Sequence, residues 1–265
     1  MPFVAANGID IHYERHGSGP PLLNISGSGN DLRRSPAAVV PVNRAFDTLH
    51  YDQRGLGQTS KPAADYTMAD YADDAAALVA AMGWERCRVL GTSFGGMVAL
   101  ELAVRHPEVI ERLVLCCTSA GGASASYPLH ELDELDADEA FATRMRITDR
   151  RWDPDADEPM PGLGRFYDQM VAGATASPSP ETLAGMRRQL LARSGHDVVD
   201  ALGAIECPTL VCAGAHDDIA PLANSEFIAE RIPGARLEVF DGGHIFLVQD
   251  RSAFPAIISF LEESS

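Results

Sequence analysis

The chain has 265 residues and a formal net charge of −17. Nucleic acids and anionic membrane surfaces attract basic proteins, so this charge argues against both as partners and favours a small-molecule ligand. Hydrophobic residues make up 46% of the chain, which is enough for the core of one large domain or of a domain with an insertion.

The cysteines give no indication of a metal site. Their spacing contains no Cys-x-x-Cys pair, and most lie in apolar runs, which predicts reduced, buried thiols and no bound metal. A nucleotide or flavin cofactor is not indicated either, because Gly55-x-Gly57 lacks the third glycine of a dinucleotide loop. We find no export signal and no apolar run of 18 residues, so we expect a cytoplasmic protein that does not enter a membrane. The five cysteines are Cys87, Cys116, Cys117, Cys207 and Cys212.

The first predicted elements are strands. Asn7-Gly8, a dipeptide typical of tight hairpins, separates two short strands within residues 3–14. Residues 22–25 and 48–51 predict buried strands, and each is followed by a glycine-rich loop. Strands whose loops gather at one edge predict a parallel sheet. Residues 68–82 predict a helix, because their apolar side chains recur at helical spacing.

A serine then stands in a tight turn. An apolar strand runs into Gly91-Thr92-Ser93-Phe94-Gly95, and a helix begins near Gly96 and ends before Pro107. Strand, glycine-flanked serine and helix are the setting of a nucleophile elbow, in which larger side chains two positions from the serine would clash. Taken alone, the motif is explained equally well by a serine that only caps an ordinary helix.

The strand pattern is interrupted in the second half of the chain. After a strand at residues 112–117, residues 121–195 show charged helical segments and joints rich in proline and glycine, such as residues 158–162. Strands resume at residues 207–214 and 235–240, and a helix follows at residues 254–261. We therefore predict a core formed by residues 1–120 and 196–265, with residues 121–195 inserted as a helical cap.

An acid and a histidine follow the last two predicted strands. Gly242-Gly243 precede His244, and Asp217 and Asp218 follow the strand before it, whereas no acid follows the strand at residues 112–117. Such a histidine can accept the proton of Ser93, while an aspartate holds the imidazole in the required tautomer. The residues alone leave Asp217 and Asp218 as alternatives.

Four segments carry a resemblance to a known family: Asp52-Gln53-Arg54-Gly55-Leu56-Gly57, Gly91-Thr92-Ser93-Phe94-Gly95-Gly96, Gly214-Ala215-His216-Asp217 and Gly242-Gly243-His244. Together they are similar to the α/β-hydrolase superfamily over nearly the whole chain outside the predicted cap. The branch resembles the 3-oxoadipate enol-lactonase group of esterases and lactonases. The resemblance implies an α/β fold with a mostly parallel eight-stranded sheet, flanked by helices and carrying a helical cap.

The same resemblance implies the roles of individual residues. The Gly-x-x-Asp pattern of the family places the triad acid on Asp217, beside Ser93 and His244. The oxyanion hole falls on the backbone N–H groups of Phe94 and Ser28. Ser26-Gly27 stands where the family commonly has His-Gly, and the hole does not depend on that side chain because its donors are backbone groups.

The implied activity is hydrolysis of a small ester or lactone through an acyl-enzyme, with no cofactor and no metal. A serine at position 93 excludes the relatives that attack with a carboxylate, namely haloalkane dehalogenases and epoxide hydrolases. A C–C bond hydrolase and a small-molecule receptor that retains the triad stay open as alternatives. We further expect Trp152 and Phe166 of the cap to line the substrate pocket, and a monomer or homodimer.

Overall fold

The computed structural model describes residues 2–164, 166–175 and 179–263. Its eight strands are β1 (Phe3–Ala6), β2 (Ile9–His16), β3 (Pro21–Ile25), β4 (Asp47–Tyr51), β5 (Cys87–Thr92), β6 (Ile110–Cys116), β7 (Thr209–Gly214) and β8 (Arg236–Phe240). They form a single sheet in the order β1-β2-β4-β3-β5-β6-β7-β8. The pairs β1/β2 and β2/β4 are antiparallel and all others are parallel, so the predicted mostly parallel eight-stranded sheet is confirmed.

The described residues also form eight α-helices: α1 (Met68–Ala81), α2 (Phe94–Arg105), α3 (Ala137–Thr148), α4 (Phe166–Thr175), α5 (Pro180–Ser194), α6 (Leu222–Arg231), α7 (Phe246–Gln249) and α8 (Ala253–Glu262). The start of α1 is fixed by a capping box, in which Thr67 and Asp70 satisfy each other's backbone N–H groups. Of the described helices, none combines the length and the apolar composition needed to cross a bilayer.

The predicted hairpin at the N-terminus is present. Asn7 and Gly8 both have positive φ angles, 47° and 76°, as a two-residue turn between twisted strands requires. The turn joins β1 to β2, and the other edge of β2 pairs with β4, where Tyr13 lies opposite Tyr51.

The central strands are buried on both faces because helices cover both sides of the sheet. In β5, Val89 packs into the core shared with α1 and α2, while the next residue, Leu90, packs into the core shared with α8. In β7, Val211 packs into the core shared with α1 and α2, and Leu210 packs into the core shared with α8. This arrangement explains why these strands appear in the sequence as continuous apolar runs and not as alternating patterns.

Helices α3, α4 and α5 lie between β6 and β7, where the insertion is predicted. Within the described part of residues 117–208, the only β-pairing consists of isolated bridges at Gly121. Two small hydrophobic clusters pack there, one around Leu132 and Ile219 and the other around Met145 and Met160. The helical content agrees with the expected cap, while its exact bounds, residues 121–195, stay a prediction.

Candidate active site

Ser93 occupies a strained turn between β5 and α2. Its φ of 56° and ψ of −117° lie outside the regions that residues with a side chain usually adopt. Surrounding hydrogen bonds hold this conformation: its N–H donates to Cys116 O at 2.8 Å, and its carbonyl accepts from Thr118 Oγ1 at 2.8 Å. The helix begins at Phe94, immediately after the serine and two residues earlier than the sequence indicates.

The flanking glycines are required by close backbone contacts. A Cβ atom on Gly91 would collide with the carbonyl oxygen of Gly95, and one on Gly95 would collide with the carbonyl oxygen of Ile25 in β3. The elbow therefore packs directly against a neighbouring strand end, which leaves the Ser93 side chain at the edge of the sheet.

The structure brings Ser93, His244 and Asp217 into one hydrogen-bonded chain. His244 Nε2 lies 2.8 Å from Ser93 Oγ, and His244 Nδ1 lies 2.8 Å from Asp217 Oδ2. The second carboxylate oxygen, Asp217 Oδ1, accepts the backbone N–H groups of Ile219 at 2.8 Å and Ala220 at 2.9 Å. Because Asp217 is only 1% exposed and both its oxygens are engaged, it can orient the imidazole rigidly.

Asp218, the alternative acid, points elsewhere. Its carboxylate is partly exposed and lies 3.4 Å from Arg150 Nη1, while its backbone N–H donates to Ile147 O of α3 at 3.0 Å. Of the two adjacent aspartates, only Asp217 therefore contacts His244.

His244 is also tied to the helical segment. Its backbone N–H donates to Thr148 O at 2.6 Å, at the end of α3. A Cβ atom on the preceding Gly243 would collide with the same carbonyl oxygen. The glycine before the histidine thus allows α3 to approach the loop that carries His244.

Cys117 is a neighbour of this chain that the sequence analysis did not connect with it. It has a positive φ of 43°, and its Sγ lies within 4.8 Å of the nearest ligand atoms of Asp217 and His244. Burial raises the pKa of the Cys117 thiol well above its usual range, so the group is a neutral thiol at physiological pH. A metal ion at these three residues would compete with the Asp217–His244 hydrogen bond, and a neutral thiol is a poor metal ligand.

Two backbone donors near Ser93 have no acceptor in the described part of the chain. Within the described residues, neither the N–H of Phe94 nor that of Ser28 forms a hydrogen bond. The loop that carries Ser28 packs against the elbow. A Cβ atom added to Gly27 would lie 3.5 Å from Ser93 Cβ, which is an ordinary van der Waals contact. Unpaired N–H groups at these positions are suited to donate hydrogen bonds to a developing oxyanion.

Side chains from outside the loop hold it in place. Gln53 Nε2 donates to Ser26 O at 2.7 Å, and Gln189 Oε1 of α5 accepts the N–H of Gly29 at 2.7 Å. Gln189 is 1% exposed. The sequence gives no signal for this contact, which joins residues 160 positions apart.

A cavity of about 270 Å³ opens onto Ser93 and His244. Arg144 and Thr148 of α3 are among its polar lining residues. Its apolar lining residues are Leu129, Met145, Met170, Ile219 and Ile245.

The two aromatic residues expected at the pocket are absent from this lining. Trp152 packs edge-on against Phe141, and its Nε1 donates to Tyr167 Oη at 3.0 Å. Its ring therefore belongs to the hydrophobic cluster around Met145 and Met160. Phe166 is 48% exposed at the start of α4. Methionine and aliphatic side chains line the cavity where these aromatic residues were expected.

Comparison with known proteins identifies the fold family. Residues 20–250 match the model of the α/β-hydrolase fold family. The chain belongs to the α/β-hydrolase fold family. The expected fold and the resemblance to this superfamily are thereby confirmed.

Two relatives of this α/β-hydrolase are similar over nearly their whole length. A Caulobacter sp. (strain K31) protein provisionally named carbamate hydrolase RutD is 31% identical over 266 residues, which cover 95% of each chain. The 2-hydroxymuconate semialdehyde hydrolase of Pseudomonas sp. (strain CF600) is 30% identical over 277 residues, covering 98% of this chain and 93% of its own.

A solved structure is similar to the same extent. The enol-lactonase of Burkholderia xenovorans LB400 superposes with a TM-score of 0.80 at 26% identity, covering 99% of this chain and 100% of its own. The names of these relatives describe hydrolases and a lactonase with different substrates.

Proposed function

We propose that this α/β-hydrolase cleaves a carboxylic ester or lactone of a small molecule through a covalent acyl-enzyme. The observation that carries the proposal is the continuous hydrogen-bonded chain from Ser93 Oγ through His244 to Asp217, with 2.8 Å at both steps. A serine hydroxyl is a weak nucleophile by itself, and an adjacent oriented base is what activates it.

In the proposed first step, His244 Nε2 takes the proton of Ser93 as Oγ attacks the carbonyl carbon. Asp217 accepts the Nδ1 proton in a hydrogen bond and stabilises the imidazolium that forms. The C–O bond to the leaving alcohol then breaks, and His244 returns the proton to the alkoxide. Water attacks the acyl-enzyme with the same base, which releases the carboxylic acid and restores Ser93.

The negative charge that develops on the carbonyl oxygen needs donors already in place. The free N–H groups of Ser28 and Phe94 are assigned to this role, and Phe94 adds the positive end of the α2 dipole. Losing one such donor typically costs about 3 kcal/mol of transition-state stabilisation.

The cavity indicates a small substrate with an apolar portion. Its volume of about 270 Å³ suits a compact ester or lactone, and methionine and aliphatic side chains face the acyl or alcohol group. The similarity to an enol-lactonase structure supports a lactone as the substrate.

A second candidate is hydrolysis of a C–C bond in a vinylogous diketone, which would use the same three residues. The similarity to 2-hydroxymuconate semialdehyde hydrolase favours including it. A receptor that retains the triad without turnover is the non-enzymatic alternative.

A substrate panel tests the proposal. Chromogenic esters of increasing acyl length, lactones and a vinylogous diketone are assayed with the wild-type protein and with Ser93→Ala. We expect sustained turnover of at least one ester or lactone, stoichiometric labelling of the wild type by a fluorophosphonate, and neither result with Ser93→Ala. Turnover of the diketone alone would select the second candidate, and a single binding event without turnover would select the receptor.

A further inference from the structure

A second cavity, of about 320 Å³, lies between the end of α5 and the loop that follows β6. Met97 of α2 and Ser119 form part of its wall. None of the residues that line it also lines the cavity at Ser93. Leu129 faces the Ser93 cavity and its neighbour Pro128 faces the second one, so the chain at these positions lies between the two spaces.

Arg193 brings a positive charge to the second cavity, where it has no ion-pair partner among the described residues. Its Nη2 donates to Ser126 Oγ at 2.7 Å and to the carbonyl of Tyr127 at 2.8 Å, and no described carboxylate pairs with it. Burial lowers the pKa of the guanidinium to about 10. Removing such a charge from water is costly unless an anion compensates it.

His196 supplies a second unsatisfied group on the same wall. It is 4% exposed, and neither ring nitrogen has a hydrogen-bond partner of normal geometry within the described residues, although the backbone of Ser119 lies close to the ring. Burial lowers the pKa of His196 to about 4, although the backbone of Ser119 and the carboxylate of Asp197 act in the opposite direction. The ring is therefore neutral at physiological pH and offers one donor and one acceptor. Buried polar groups without partners are rare in native proteins and often mark a ligand or water position.

We propose that this cavity is a binding site for a small monocarboxylate. The guanidinium of Arg193 would pair with the carboxylate, and the ring N–H of His196 and the Ser126 hydroxyl would donate to the same group. The volume is within the range of small-ligand pockets.

The negative groups at the cavity limit the ligand to one charge. Asp197 is exposed on the cavity wall, and its Oδ1 accepts the N–H of Val199. The carbonyl end of α5, at Ser194, adds partial negative charge. A second carboxylate on the ligand would be repelled by both. The site does not depend on the reaction proposed for Ser93.

Calorimetric titration with sodium benzoate tests the site, with benzamide as the neutral analogue and isophthalate as the dianion. We expect benzoate to bind in the millimolar range or tighter, and benzamide and isophthalate to bind more weakly. Arg193→Met, which keeps the aliphatic stem, should weaken benzoate binding about 10- to 100-fold, the effect of a lost charge-assisted pair. Ala125→Phe, which fills the cavity and leaves Arg193 in place, should have a similar effect even if Arg193→Met impairs folding.

Arg144→Met is the matched control, because Arg144 lines the cavity at Ser93. Benzoate affinity should be unchanged in this variant. The proposal is overturned if Arg144→Met weakens benzoate while Ala125→Phe does not, if benzamide binds as well as benzoate, or if the wild type shows no saturable binding.

Discussion

At the scale of single residues, Asp217 and Asp218 differ in what their carboxylates contact. Asp217 is buried against His244 and two backbone N–H groups, whereas Asp218 is partly exposed beside Arg150. We expect Asp217→Asn to lower kcat by about 10⁴-fold, since an asparagine amide favours the wrong imidazole tautomer. Asp218→Asn should lower kcat far less. Steady-state kinetics on one activated ester compares the two, and the reverse ranking would refute the assignment.

Substrate preference should depend on the residues that line the cavity at Ser93. Met145 is 2% exposed and lines this cavity, so Met145→Ala enlarges it. We expect the ratio of kcat/KM for a long-chain ester to that for an acetate ester to rise by about 10-fold or more. Phe166→Ala is the control, because Phe166 is half exposed at the start of α4 and does not line the cavity. An equal change of the ratio in both variants would contradict the described cavity.

At the scale of elements, α5 connects the helical segment to the loops at the edge of the sheet. Gly185 allows this contact, because a Cβ there would collide with the carbonyl oxygen of Gly55. One turn further on, Gln189 accepts the N–H of Gly29. The helix therefore positions the loop that carries the proposed Ser28 donor, although no residue of α5 belongs to the proposed triad.

We expect Gln189→Met to lower kcat about 10-fold with little change in KM. The variant keeps the side-chain volume but removes the acceptor of the Gly29 N–H, so the adjacent Ser28 donor is less well fixed for the transition state. Gln189→Glu, which keeps an oxygen acceptor, should retain most of the wild-type kcat. Steady-state kinetics measures the split between kcat and KM.

Leu191→Ala is the matched control for the Gln189 substitution, since Leu191 lies on the same helix and is 60% exposed. A fall in kcat in this variant equal to that in Gln189→Met would indicate a general effect of disturbing α5. A rise of KM with unchanged kcat in Gln189→Met would mean that the contact serves substrate binding instead.

The elbow and the buried strands could be predicted from sequence because both depend on local patterns. Glycines two positions before and after a serine, here Gly91 and Gly95, indicate a close approach between backbone segments. Apolar runs before glycine-rich loops indicate buried strands. The Gln189–Gly29 contact could not be predicted, because it depends on how two distant segments pack. Trp152 illustrates the opposite error: an aromatic residue in the helical segment was expected at the pocket, and its ring packs in a neighbouring cluster instead. Gly185, an unfavourable residue inside a helix, is a signal that could have located the approach of α5.

At the scale of the whole molecule, two electrostatic effects oppose each other as the pH falls. The net charge of −17 decreases towards zero near the pI of about 4.7, which reduces self-repulsion and favours the compact state. Buried neutral histidines act in the other direction. His50 is held between Asn24 and Asn43, and burial, with the nearby His16, lowers its pKa to about 4. His196 is lowered to about 4 as well.

The direction of the histidine effect on stability depends on whether the folded or the unfolded state binds more protons. Between pH 6.5 and 4 the unfolded chain protonates these histidines and the folded chain does not, so the free energy of unfolding falls as the pH falls through this window. A pKa of about 4 against 6.5 corresponds to about 2 kcal/mol per histidine by pH 5. The charges that repel one another are spread over the surface, where salt screens them. The relief of self-repulsion is therefore the weaker effect at physiological ionic strength. We therefore expect the protein to be less stable at pH 5.0 than at pH 7.5.

Urea unfolding at these two pH values measures the effect. In His50→Gln, which keeps a polar side chain between the two asparagines, the loss of stability between pH 7.5 and 5.0 should be smaller than in the wild type by about 2 kcal/mol. His130→Gln, at an exposed position, should keep the wild-type loss. If His50→Gln also kept it, the folded protein would have to protonate His50 within this window, and its burial between Asn24 and Asn43 would not exclude the charge.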